Sequence, residues 1–267
     1  MDERILRKAL SDIPLGGLRY FARAASTNDV ALAWAAAGAG DLALVYAEEQ
    51  TAGRGRGTNR WFTPPGAGLA FSLVLRPLPG EEQSLAFFSA LGALAVCEAL
   101  AAQGLDPQIK WPNDVLLNRR KVCGVLAESV WSGEELDSIV IGIGINVKPG
   151  AVPPPEQLNF PATCVEAELA LLEPRPASRT CDRPALLHQS LQALLYWRGL
   201  VATDIFRHAW ESRLAFCGEQ VEILAAEQPV KVGRVEGLEQ DGGLRLRAPE
   251  GSVFTVQFGE VHLRPVV

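Results

Sequence analysis

Histidine is scarce in this chain. Only His188, His208 and His262 occur in 267 residues, all in the C-terminal third and none near the motifs described below. That argues against imidazole acid–base catalysis. Cysteine is sparse and unpatterned: Cys97, Cys123, Cys164, Cys181 and Cys217 include no CxxC pair. An odd, scattered set reads as reduced thiols, and so as neither a disulfide framework nor a zinc site. No apolar run is long enough to cross a bilayer, and the first residues, "MDERILRKAL", carry too much charge for a secretory leader. A soluble, cytoplasmic protein without membrane contact is expected. Lysine is rare beside arginine, five against twenty, which draws attention to each lysine that remains. No GxxxxGK[ST] phosphate loop is present, and the net charge of −6 argues against a general nucleic-acid binder.

What is present is ordinary globular material, 48% hydrophobic and 21% charged, in a chain longer than one typical domain. The segment "ASTNDVALAWAAAG" predicts a helix capped by Ser26 or Thr27 and ended by Gly38. "DLALVYAEEQ" and "GLAFSLVLRP" predict strands, the second by its alternation of Leu69, Phe71, Leu73 and Leu75 with Ala70, Ser72 and Val74. "EEQSLAFFSALGALAVCEALAAQG" predicts a long buried helix closed by Gly104. "IKWPNDVLLNRRKVCGVLAESVW" predicts two short strands joined by the turn "LNRRK", and "LDSIVIGIGINV" a further strand. The proline-rich stretch after it marks a long connection, residues 149–183, followed by helices over about Pro184–Gly199 and Thr203–Phe216. From Gly218 onward, short alternating runs separated by turns predict a small all-β unit resembling an SH3-like barrel.

Four stretches carry chemistry. "AGRGRGTNRW" gathers Arg54, Arg56 and Arg60 on a glycine-rich segment of an acidic protein. Glycine permits close backbone approach, and arginine offers a planar fork for carboxylate or phosphate. A solvated turn is the plain alternative. "KWPND" places Lys110, Asn113 and Asp114 around a stiff turn; Asp114 could meet Mg²⁺ held by a nucleotide, or the stretch could be an Asx turn. In "RRKVCGVLAES", Lys121 opens a strand and Gly124 lies inside it, where a glycine marks close approach of another group. In "IGIGIN", Ile141, Ile143 and Ile145 share one face and Gly142, Gly144 and Asn146 the other. A face without side chains suits a flat ligand, or a helix packed tightly on the glycines.

Taken in order, "STN", "EEQTAGRGRGTNRW", "KWPND", "RKVCGVLAE" and "IGIGINV" resemble the biotin–protein ligase (holocarboxylase synthetase) family, from about Ser26 to the C-terminus and most loosely through 149–183. The resemblance implies an α+β fold. A mixed β-sheet catalytic domain flanked by helices, of the class II synthetase-like type shared with lipoate ligases, would span 1–217, and an SH3-like β-barrel 218–267. It implies an ATP-dependent ligase that makes biotinyl-5′-AMP and passes biotin to one lysine of a biotin carboxyl carrier domain. ATP and biotin would be substrates, with Mg²⁺, and the protein would be a monomer or homodimer.

Carried over by position, Ser26, Thr27, Asn28 and Gln50 would border the biotin ring. Arg54, Gly55 and Arg56 would wrap the carboxylate and adenylate phosphate, with Arg54, Arg56 and Lys121 the catalytic cations. Gly124, Gly142 and Gly144 would lie beside biotin. Trp61, Lys110, Asn113 and Asn146 would face the nucleotide, and Asp114 Mg²⁺. The family's loop runs GRGRRGR, whereas Gly57-Thr58-Asn59 stands in its middle here, so retention of the adenylate could differ in degree. With about 25 residues before the first motif, no N-terminal DNA-binding domain is expected. The rivals are a lipoate–protein ligase, whose RRxSGGG signature and downstream histidine are missing, a non-catalytic biotin-sensing protein, and a nucleic-acid binder.

Overall fold

The computed structural model describes residues 1–172, 180–201, 203–225, 230–257 and 261–265. Residues 173–179 of the long connection, and 226–229, 258–260 and 266–267 of the C-terminal unit, lie outside the described residues. Helix α1 (Glu3–Ala9) is capped by Asp2, which accepts from the Ile5 amide, and leads into β1 (Gly17–Phe21). Neither element stood out from hydrophobic periodicity, since both are short and largely solvated. Helix α2 (Thr27–Ala36) starts at Ser26, whose hydroxyl accepts from Asp29 N, and Gly38 at φ 84° turns the chain out of it. The strands β2 (Ala43–Ala47) and β3 (Gly68–Leu75) follow.

Every residue of β3 is buried, because both faces of the sheet are covered. Leu69, Phe71, Leu73 and Leu75 enter the main core, while Val74 joins Ala31, Ala35 and Val140 under α2. The long apolar segment after it is less regular than its composition predicts. A 3₁₀ turn at Glu81–Ser84 precedes α3 (Phe87–Ala101). Glu81 is spent on Arg198, 3.1 Å away, not on extending the helix. Helix α3 is buried nearly all round, as expected, and its Gly92 lets it sit on Val125, Ile141 and Ile143.

The predicted hairpin across LNRRK is present as β5 (Asp114–Leu117) and β6 (Arg120–Ser132), and a strand that the sequence did not suggest, β4 (Pro107–Lys110), precedes it. The KWPND turn, with a cis Trp111–Pro112 bond, reverses the chain before the second reversal at Asn118–Arg119. Strand β6 then runs on into a further hairpin with β7 (Glu135–Asn146) at Gly133. The main sheet has the order β1-β2-β3-β7-β6-β5-β4, with β1 parallel to β2 and all other pairs antiparallel. Helices α3 and α5 cover one face and α2 the other.

The long connection is not featureless. It holds α4 (Val165–Leu169), and it is followed by α5 (Arg183–Arg198) and α6 (Asp204–Ser212). Helix α6 stops short of Phe216 because the chain leaves to pair Leu214 with Ile109 of β4. The C-terminal strands β8 (Gln220–Ala225), β9 (Lys231–Leu238), β10 (Leu244–Arg247), β11 (Val253–Val256) and β12 (Val261–Pro265) form an antiparallel sheet ordered β11-β10-β9-β8-β12. The pairing among the described residues is an open sheet of SH3-like type and does not close into a barrel.

One buried ion pair ties α5 to the strand that leads into the arginine–glycine loop. Glu48 accepts from Arg183 at 2.6 Å, from the Tyr46 hydroxyl at 2.7 Å and from Gly66 N at 3.0 Å. Burial alone would push the Glu48 carboxyl up; Arg183, Tyr46 and the Met1 ammonium outweigh it, and the carboxyl is held below its ordinary value. A carboxylate depressed in this way contributes stability above its unfolded pKa and loses it as pH falls through the folded value. The Met1 ammonium also lies 2.9 Å from Glu48 Oε2 and stays in place without the arginine. We therefore expect Arg183→Met to cost about 1–2 kcal/mol at neutral pH, because it removes one of two cations from a half-buried carboxylate. Urea denaturation should show that cost shrinking in acid, where Glu48 protonates. A cost that does not change with pH would rule out the ion pair as its cause.

Candidate active site

Every candidate residue named from the sequence lines a single cavity of about 430 Å³. That is within the usual range for a small-molecule site, about 300–1,000 Å³. The cavity lies on the α2 side of the main sheet, where β6 and β7 present Gly124, Gly142 and Gly144. The isoleucines of β7 point away into the core, as their alternation predicts.

One end is polar and uncharged. Thr27 N and Oγ1 donate to Gln50 Oε1 at 2.8 and 3.1 Å, and Gln50 Nε2 donates to Thr63 Oγ1 at 3.2 Å. Ser72 Oγ of β3 donates its proton to Asn28 Oδ1 at 2.6 Å and lies in hydrogen-bond contact with Thr27 Oγ1 at 2.8 Å. Asn28 Nδ2 in turn donates to Glu128 Oε2 at 2.8 Å. Ser26 sits beside this network as the cap of α2. Asn28 is thus held at both ends of its carboxamide by protein.

The other end is cationic. Lys121 Nζ lies 2.6 Å from Asp114 Oδ1, and Lys110 Nζ 3.8 Å from Asp114 Oδ2. Burial would push the Asp114 carboxyl up, but Lys121, Lys110 and then Arg56 outweigh it and hold it below its ordinary value. Lys110 also faces the Phe160 ring, 4.2 Å from its centroid. Asn113 Nδ2 donates to Val125 O at 2.5 Å, and Asn146 Nδ2 to Thr163 O at 3.1 Å, so both amides bind the walls together.

The glycine face is not bare. An added Cβ on Gly144 would fall 2.3 Å from the Trp61 indole, and one on Gly142 would fall 1.9 Å from Asn28 Oδ1. Gly124 meets Trp61 and Lys121 at 3.1 and 3.3 Å. The protein's own ring and amide therefore occupy the space left by missing side chains. Asn28 is the second residue of α2, so at Gly142 the helix-packing alternative holds, whereas at Gly144 and Gly124 the loop's Trp61 fills the space.

The arginine–glycine loop is a tight reversal. Gly55 N donates to Asn59 O at 2.8 Å, Asn59 Nδ2 caps Arg56 O at 2.8 Å, and Arg54 bridges to Arg60. Gly57 has φ 62°, a left-handed conformation that a side chain at this position would strain. The departure at Gly57-Thr58-Asn59 thus gives up charge and gains a turn closed by its own hydrogen bonds.

Several lining or supporting residues escaped the sequence reading. Ser72, Thr63 and Glu128 are single polar residues in apolar or loop surroundings, and only the fold brings them to one floor. The connection contributes Phe160 and Ala162 to the wall: Lys121 N donates to Pro161 O at 2.8 Å, and Thr163 N to Lys121 O at 2.9 Å. Behind them Glu168, fully buried, accepts from Asn118, Arg120 and the Thr163 hydroxyl. No cysteine or histidine lines the cavity among the described residues.

Residues 20–146 match the model of the biotin/lipoate A/B protein ligase family, and residues 216–264 that of the biotin protein ligase C terminal domain. A biotin–[acetyl-CoA-carboxylase] ligase of Paracoccus denitrificans is 37% identical over 247 residues, covering 86% of this chain and 94% of the relative. One of Mycobacterium tuberculosis is 31% identical over 272 residues, covering 99% and 96%. A solved biotin protein ligase from Aquifex aeolicus, in complex with biotin and ATP, superposes with a TM-score of 0.76 at 28% identity, over 94% of this chain and 99% of that one.

Proposed function

The chain belongs to the biotin/lipoate A/B protein ligase family, within its biotin protein ligases, and on that basis we propose how its cavity works as an ATP-dependent biotin ligase. The carrying observation is the division of one cavity into an uncharged hydrogen-bonding floor and a cationic end. Thr27, Gln50 and Ser26 suit a neutral polar ring. Lys121, Lys110 and Arg56 suit a carboxylate brought against a phosphate.

Biotin's carboxylate is already an anionic nucleophile, so the first step needs no side-chain base. A carboxylate oxygen attacks the α-phosphorus, the acyl–phosphate bond forms, and the bond to the leaving pyrophosphate breaks. Two anions must meet, and fixed cations lower that barrier by relieving repulsion and aligning the groups. In the second step a neutral lysine amine of the acceptor attacks the acyl carbon, AMP departs with the bond electrons, and the amine loses a proton. The same cations stabilise departing AMP.

Among the described residues Asp114 is the one carboxylate lining the cationic end, and Lys121 and Lys110 already face its two oxygens. No group of three His, Cys, Asp or Glu that could hold a metal ion occurs among the described residues. Mg²⁺ is therefore read as arriving with ATP, Asp114 supplying at most one ligand and phosphate oxygens and water the rest. When bound it would neutralise phosphate charge.

The acceptor is read as the biotin carboxyl carrier domain of a carboxylase, and the compartment as the cytoplasm. No helix among the described residues is long and apolar enough to cross a membrane. The catalytic unit is read as ending near residue 217, where the chain enters the C-terminal sheet.

The decisive experiment mixes the protein with biotin, Mg-ATP and a carrier domain, and weighs the carrier by mass spectrometry. A gain of one biotinyl group is expected. No gain would refute the ligase reading, and a lipoyl gain with lipoate supplied would favour a lipoate ligase.

A further inference from the structure

The two arginines of the GRGRG segment stand in different surroundings. Arg56 acts on Asp114 at the cationic end. Arg54 faces the opposite way, toward acids of the protein. Its NH1 and NH2 donate to Glu128 Oε1 and Oε2 at 2.9 and 2.6 Å, a fork fully matched by one carboxylate. Its Nε lies 2.8 Å from Asp29 Oδ1, an electrostatic contact in which the N–H points off the oxygen. Three elements meet at this point: the loop through Arg54, the start of α2 through Asp29, and β6 through Glu128. Glu128 also takes the Asn28 amide, so one carboxylate fixes both the loop and the floor beneath it.

A guanidinium already engaged bidentately cannot offer that fork to a phosphate without breaking the pair. The geometry points to a division of labour: Arg56 meets the ligand, Arg54 latches the loop, and Glu128 is the positioning residue that holds the latch. The stretch Arg56 to Asn59 is closed by its own turn and meets the connection where Asn159 Nδ2 donates to Asn59 Oδ1 at 3.4 Å, and Arg54 ties the loop to the sheet. On this view Glu128 sets how long the loop stays shut on the adenylate, and has little part in forming it. The inference rests on the ligase reading above.

The test uses the full chain with labelled biotin and Mg-ATP and no acceptor. Adenylate forms in the site, is freed of excess label by rapid desalting, and its release is followed during a chase with unlabelled biotin. Glu128→Gln keeps the side-chain volume and an acceptor for Asn28, and removes the charge. Release is expected to quicken about tenfold, as for loss of a charge-assisted pair that acts on dissociation, and by more than pyrophosphate formation at saturating biotin and ATP slows. Arg54→Gln should do the same, and the double variant should release no faster than either single one. Added salt should speed release more in the unaltered protein than in Glu128→Gln, because only the former has the Arg54–Glu128 pair to screen, while the Asp29 contact and the cations on the phosphate are common to both. A change in packing alone would lower the melting temperature without reducing this salt dependence.

Unchanged release from both single variants, or additive effects in the double, would overturn the latch. If the unaltered protein makes no adenylate, the ligase reading fails instead.

Discussion

Lys121→Ala is expected to lower adenylate formation by about 10²- to 10³-fold, the loss typical of removing one fixed charge aimed at a developing anion. Lys121 opens β6 and is clamped on both sides of its backbone by Pro161 and Thr163. Its ammonium therefore has a set place, 2.6 Å from Asp114 and 5.5 Å from the centroid of the Trp61 ring. In the proposed first step it stands where carboxylate and α-phosphate repel each other most. Biotin affinity should fall far less, because the uncharged floor lies elsewhere. The truncation also removes a partner from a buried carboxylate, so some stability is lost as well. Adding Asp114→Asn should restore the melting temperature but not the rate. Pyrophosphate release at saturating substrates, beside biotin calorimetry, reads both effects. A rate within a few-fold of normal would remove Lys121 from the chemistry.

The second large effect is expected at a residue with no side chain. A Cβ on Gly142 would sit 1.9 Å from Asn28 Oδ1 and 2.7 Å from its Cγ, closer than real atoms approach. Asn28 has little room to yield, being bonded to Glu128, Leu126 O and Ser72. Displacing it disturbs Ser72, then Thr27 and Gln50, each a member of the same chain of hydrogen bonds. Overpacking of this kind costs about 1–3 kcal/mol, with a further penalty for each buried polar group left unpaired. Gly142→Ala should weaken biotin binding by about 10²-fold, the scale of losing a pair of such contacts. Gly144→Ala meets the Trp61 indole instead, so its effect should fall first on the KM for ATP. Calorimetry with biotin and kinetics in ATP separate the two. Equal, small effects on both substrates would show that the glycine face does not shape the site.

Much of the site was readable from sequence because its residues break local patterns. Glycines inside an isoleucine strand, arginines on a flexible loop and a lysine opening a strand each conflict with what secondary structure alone would select. Where such conflicts cluster, the selecting force lies outside local structure. Ser72, Glu128 and Glu168 broke no pattern strongly enough. An isolated polar residue in a strand reads equally well as a solvent-facing position until the sheet order is known. The KWPND segment misled the count of strands because a proline turn and a strand start look alike in sequence. The connection was legible as long and proline-rich. Its contribution of Phe160 to the wall depends on a parallel bridge between Lys121 and Ala162 that no local pattern encodes.

The indole of Trp111, in the middle of the KWPND turn, donates to the carbonyl of Gly242 at 3.0 Å, across to the C-terminal sheet. Gly242 has φ 81°, and an added Cβ would meet Phe87 and Trp210 at 2.6 and 2.9 Å. Nearby, Arg119 pairs bidentately with Glu219. The turn that carries Lys110 and Asp114 is thus braced from the far end of the chain. In evolutionary terms the last fifty or so residues are not a freely exchangeable module. A tail borrowed from a relative would fit only if its own turn met Trp111 in the same way. Position 242 is thus expected to stay glycine wherever Phe87 and Trp210 are kept, and chimeras that ignore this should melt in two steps where the parent melts in one.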